Sequence, residues 1–293
     1  MSLGPHLFLA LLEGTVTALV LALTALGLSL VFGVMRIVNI AHGEFFMLGA
    51  VLAWWFGSVV GGSPLVGFLI ALIAGPLVVG GVALATDYLI LRRVEYDPES
   101  TIVGTIGLLY IIQQIVLTFY GGDAESVEAP IYFRVSFPWF GYSGYKLIVA
   151  GVSALLLIAT WIAISRTQMG LYMRATQQDE EMAQAYGVPV RRVYALVFAF
   201  GAMLAAAAGV LVVPIQQAHY LMGLDPLLLS FIVVIIGGLG NLRGTLVAAF
   251  VIGISDGVIS VFFSPTLAKI LATLLVALVL VVRPGGLFGD EEA

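Results

Sequence analysis

Cysteine is absent from all 293 residues, which removes disulfide bonds, thiolate metal sites and cysteine nucleophiles together. Histidine is scarce: His6, His42 and His219 lack the short spacing of a metal-ligand pair, so no metal site is expected. Charge is scarce as well. Only 10% of residues are Asp, Glu, Lys or Arg, and the basic ones are scattered, which leaves no footprint for nucleic acid. The chain has no G-x4-G-K-[ST] loop, so it is not expected to bind ATP by that device, and no cofactor is expected. Gly141-Tyr142-Ser143-Gly144 spells the GxSG of intramembrane serine proteases. It falls in a polar loop with only His219 after it, so Ser143 reads as a turn residue and no catalytic residue is expected.

What remains is apolar. Hydrophobic residues make up 61% of the chain, far outside the soluble norm, and the reading is an all-α, polytopic integral membrane bundle in contact with a lipid bilayer. At about 20 residues per crossing, apolar segments fall near 7–34, 36–56, 64–91, 102–120, 146–165, 193–213, 226–240, 244–263 and 266–283, giving eight to ten helices in one domain over 1–293. The 226–240 segment is short and ends in GGLGN, so crossing and re-entry both stay open. The N-terminus lacks the basic region of a secretory signal and reads as a retained anchor.

Basic residues orient the bundle. Arg36, Arg92, Arg93, Arg166, Arg174, Arg191, Arg192, Arg243 and Arg283 fall on one side, while Arg134, Lys146 and Lys269 fall on the other. That bias places the 166–192 loop and the C-terminus in the cytoplasm and the N-terminus outside. The 121–145 loop, with Asp123, Glu125 and Glu128, reads as an acidic outer cap, with Trp54 and Trp55 at the same interface.

Inside the apolar segments, glycines such as Gly75, Gly80, Gly81, Gly201 and Gly209 suit close helix packing. The run from Gly33 to Gly49 carries Arg36, Asn39, His42 and Glu44 in apolar surroundings, where each polar group needs a partner or a water-lined path. Two roles stay open there: Asn39 and Glu44 capping a broken helix with His42 bonded to backbone, or all three lining a translocation pathway. A helix beginning at Gly43 and another at Gly244 echo each other, as the broken helices of transporters with internal repeats do. Asp87 and Asp256 are intramembrane carboxylates, open to proton coupling or to bonding with a neighbouring helix, and Glu13 can reach the outer interface.

The longest charged interval is 166–192. Thr176, with Asp179 three residues on, has the form of a helix N-cap, and Glu180 and Glu181 favour the first turn. Gly187 and Pro189 stop the helix, leaving about three turns with Met182 and Tyr186 on one side. A plain surface spacer and a docking knob both fit that pattern.

Glu181, Met182, Ala183, three residues, then Gly187 resembles the EAA-x3-G loop of ABC-transporter permeases, with Met in the first alanine position. GLSLVFGVMRIVNIAHGEFFMLGA, GLYMRATQQDEEMAQAYGV, VVIIGGLGNLRGTLVAAFVIG and the Arg283-Pro-Gly-Gly ending resemble, in order, the LivH-type permeases of high-affinity branched-chain amino acid ABC transporters. The resemblance implies a multi-pass permease subunit of a bacterial inner-membrane importer, not itself an enzyme, with Glu181, Met182, Ala183, Tyr186 and Gly187 coupling it to ATPases. It also implies partners: a second homologous permease, two cytoplasmic ATPase subunits and an extracytoplasmic substrate-binding protein. The expected cargo is branched-chain amino acids. Urea or short amides, an ion-coupled secondary transporter and an intramembrane hydrolase using Ser143 are the alternatives.

Overall fold

The computed structural model describes residues 3–60, 62–283 and 285–286. All nine apolar segments form helices: α1 (Leu3–Met35), α2 (His42–Val60), α3 (Pro64–Thr86, prolonged by a π turn over Asp87–Leu91), α4 (Pro98–Tyr120), α5 (Gly144–Arg166), α8 (Val190–Val212), α9 (Leu224–Gly237), α10 (Leu242–Phe262) and α11 (Pro265–Val282). Eight of these are long and apolar enough to cross a membrane, α9 being shorter. The fold is therefore the expected all-α membrane bundle. Between α5 and α8 lie two short helices, α6 (Gln168–Gln178) and α7 (Glu180–Ala185). The 121–143 loop carries one small hairpin, β1 (Arg134–Ser136) with β2 (Gly141–Ser143). Ser143 thus ends a strand and precedes α5, where a turn was expected, because its backbone pairs with Arg134.

Helices α1 and α8 form the centre, and α11 faces outward along nearly its whole length. Small residues allow this packing. Gly14 and Ala18 of α1 meet Gly257 and Gly253 of α10, and farther along Thr245 Oγ1 donates to Ser29 Oγ at 2.9 Å, so the two helices run antiparallel. At the α1–α8 crossing Gly27 and Gly201 face each other, and a Cβ on Gly201 would fall 2.7 Å from the Gly27 carbonyl oxygen. The same close approach holds at Gly209, whereas Gly81 faces open space and shows only that a membrane helix tolerates glycine.

Two breaks shape the interior. Helix α1 ends at Arg36, whose φ of 54° turns the chain, and residues 36–41 run back along α1 without helical structure. Consequently α2 starts beside Thr24 and Gly27, 11 residues before Met35 and about 16 Å along α1 from its end. Irregular backbone at that depth needs partners from its neighbours. Thr105 of α4 supplies one by accepting from the Ile40 N–H at 3.2 Å. The second break, 213–223, follows α8 and brings Gly223 against Gly43 at the buried start of α2. From there α9, 14 residues or about 21 Å long, runs to the tight turn where Gly240 meets Gly33 near the end of α1.

This geometry corrects the sequence reading of the echo. The counterpart of α2 is α9, not the helix opening at Gly244. Gly244 only begins α10 after the 238–241 turn, its N–H accepted by Asn241 Oδ1 at 3.0 Å. The units α1–break–α2 and α8–break–α9 run in opposite senses and meet at Gly43 and Gly223. Helix α9 accordingly neither crosses nor returns. It begins at depth and leaves at the arginine-rich end, where Gln177 of α6 donates to the Gly240 carbonyl at 3.1 Å.

Candidate functional site

At the arginine-rich end, α7 projects between α6 and α8. Its cap is Asp179, whose carboxylate accepts from the Met182 N–H at 2.9 Å, and not Thr176. Thr176 is buried inside α6, because the Gln168–Gln178 stretch forms a helix of its own with Thr167 as its cap. The expected helix of about three turns before Gly187 is therefore a six-residue helix preceded by a separate one. The stop is as read: Gly187 has φ 83°, its N–H bonds the Gln184 carbonyl at 2.9 Å and the Val188 N–H bonds the Ala183 carbonyl at 3.0 Å, a Schellman ending. Ala183 packs inward. Glu180 and Glu181 are exposed, and Met182 and Tyr186 stand 51% and 83% exposed on one side. A rigid, capped knob with an aromatic and a thioether outward suits a groove in another protein.

Asn39, His42 and Glu44 are all buried. Asn39 Oδ1 accepts from the Ala41 N–H at 3.1 Å, closing the turn into α2. His42 Nε2 lies 2.9 Å from the Thr24 carbonyl oxygen, tying the start of α2 to α1. Glu44 Oε1 accepts from Gln113 Nε2 of α4 at 2.9 Å. Asn39 is thus bonded within its own turn, His42 to the backbone of α1 and Glu44 to a side chain of α4, while His42 Nδ1 and Glu44 Oε2 have no hydrogen-bond partner among the described residues. Sequence reasoning missed Gln113 and Thr105, since partners 69 and 65 residues away in the chain leave no local signal.

Above this knot, on the side away from the arginines, lies a cavity of about 460 Å³. Thr24 and Phe46 line it, whereas His42 and Glu44 do not. Its ionisable lining comes from Glu13, Lys146, His219, Asp225, Asp256 and Lys269. Lys146 Nζ lies 2.7 and 2.8 Å from the two Glu13 carboxylate oxygens, and Lys269 Nζ lies 2.6 Å from Asp225 Oδ2. Glu13, expected to reach the interface, instead binds α1 to α5. Val16, Val20, Met222 and Leu229 supply apolar wall.

Asp87, the other intramembrane carboxylate, is fully buried and already satisfied. Arg92 Nε donates to it at 2.7 Å and the Tyr96 hydroxyl at 3.1 Å, within the turn that ends α3. Burial, and next the Asp87 charge, push the Tyr96 phenol up to about 12, so it stays a donor. Asp87 therefore fixes the α3–α4 turn by bonding inside its own segment.

The sequence matches the family described as "Branched-chain amino acid transport system / permease component" over residues 10–281. It is 26% identical to the high-affinity branched-chain amino acid transport system permease protein LivH of Escherichia coli K12, with 92% of each chain covered. It is 26% identical to the corresponding protein BraD of Pseudomonas aeruginosa over 98% of this chain and 97% of the relative, and to a probable LivH of Methanocaldococcus jannaschii over 96% and 92%. A ribose import permease of Haemophilus influenzae, RbsC, matches at 26% over about half of each chain, at 47% and 46%. No solved structure matches.

Proposed function

Because this multi-pass membrane chain belongs to the branched-chain amino acid transport system permease family, we propose that it forms half of the pore of an ATP-driven importer. A second, homologous permease completes the pore, two cytoplasmic ATPases drive it, and an extracytoplasmic binding protein delivers a branched-chain amino acid. ATP hydrolysis belongs to those separate subunits.

The observation that carries this reading is α7. It is a capped and sharply stopped helix whose Met182 and Tyr186 point outward at the arginine-rich end of a membrane bundle. In the proposed cycle, Glu181, Met182, Ala183, Tyr186 and Gly187 seat in the ATPase, and closure of the ATPase pair moves α7. Through α6 that movement reaches Gly240, where Gln177 is bonded, and hence the α9–α10 turn. Asn39, His42 and Glu44 act in the pathway by fixing the buried start of α2, so that α2 and α9 rock as units between outward- and inward-open states.

Replacing Glu181 and Gly187 together, Glu181→Lys with Gly187→Val, tests the coupling. The complex is expected to assemble in the membrane and hydrolyse ATP without taking up leucine. Normal uptake by the double variant would remove the docking role.

A further inference from the structure

We propose that the outer cavity is a binding site, inside a single permease chain, for the zwitterionic head and aliphatic tail of an amino acid. The proposal deepens the permease reading and rests on it.

The charge pattern points to a zwitterion. Three carboxylates, Glu13, Asp225 and Asp256, face two lysines, Lys146 and Lys269, across one cavity. Two of the carboxylates are matched by ion pairs, and among the described residues no ion pair engages Asp256. Asp256 feels the charge of Lys269 without a direct contact to it; an intramembrane carboxylate with no direct ion pair is costly, and a ligand ammonium would supply one. The two lysines differ in how firmly they are held. Lys146 grips both oxygens of Glu13, and the pair is about 27% and 30% exposed. Lys269 has a single contact to Asp225, and that pair is 43% and 65% exposed, so it opens at little cost. Lys269, at the start of α11, is therefore the cation that turns to the ligand carboxylate, while Asp256 on α10 takes the ammonium.

The remaining wall suits a branched aliphatic side chain. Val16 and Val20 of α1 face Leu229 of α9, with Phe46 of α2 below. Thr24 carries the carbonyl that holds His42, so an occupied cavity presses on the contact that fixes the start of α2. Met222 lies in the second break, next to the Gly43–Gly223 contact. Ligand and hinge thus share walls, which gives the site a route to the moving elements.

The test is binding of radiolabelled L-leucine to the purified full chain in lipid nanodiscs, without binding protein. Saturable binding is expected, weakened about tenfold or more by Asp256→Asn or Lys269→Met, the size of one charge-assisted contact. Asp256→Glu should restore it. Competition assigns the ends: 4-methylpentanoate, which lacks the ammonium, should compete equally against wild type and Asp256→Asn, and isopentylamine equally against wild type and Lys269→Met. Monodisperse elution of each variant separates a lost site from a lost fold. No saturable binding by wild type, or equal binding by well-folded variants, would overturn the site. If wild type then still supports ATP-dependent leucine uptake with its partners, only the site falls. If it does not, the permease reading falls as well.

Discussion

Single side chains at buried positions carry the sharpest consequences. Tyr96→Phe removes the donor to Asp87 Oδ1 and should lower stability by about 1.5–3 kcal/mol, read as a fall in the thermal midpoint in detergent. Thr105→Val keeps the shape but leaves the Ile40 N–H without its acceptor, at about 1–3 kcal/mol by the same measurement. An unchanged midpoint for either would mean that the hydrogen bond is replaced elsewhere. Residue types legible in the sequence included the polar Asn39, His42 and Glu44, because an apolar run makes them stand out. Their partners were not legible: Thr24 is reached through its backbone carbonyl, and Gln113 lies on a helix whose rotation no local pattern fixes. The same holds for Glu13 and Lys146, which looked like separate interfacial charges until the fold brought α1 to α5.

At the scale of elements, apolar length located all nine hydrophobic helices, since the cost of exposing backbone in lipid leaves few other conformations. Caps were harder. Thr176 and Asp179 both have side chains fit for capping, and the choice between them depended on whether 168–178 was helical. Asp179→Ala should therefore cost α7 about 1 kcal/mol and weaken coupling, raising the ATP hydrolysed per leucine carried. Thr176→Val should leave that ratio unchanged. Pro214 and Gly223 mark the second break in the sequence, but nothing local shows that it lies at depth against the first. Its depth follows only from the Gly223 contact with Gly43. A side chain there would push the two units apart, so Gly223→Val should abolish uptake while the chain still reaches the membrane.

For the whole molecule, the bundle has two distinct ends, and its action depends on which one faces the cytosol. Arginines, α6, α7 and the α9–α10 turn gather at one end. The acidic loop and the mouth of the charged cavity lie at the other, where Glu125 pairs with Ala218 of the second break. The Arg283-Pro-Gly-Gly ending that helped the sequence reading lies partly outside the described residues, so orientation rests on the arginines before it. Absence of cysteine makes the decisive measurement clean. Tyr186→Cys, with Tyr132→Cys as the opposite reporter, should be probed in intact cells with a membrane-impermeant maleimide. The expected result is labelling at position 132 in intact cells and at position 186 only after the membrane is opened. Labelling of position 186 from outside intact cells would contradict a cytoplasmic motor gripping α7.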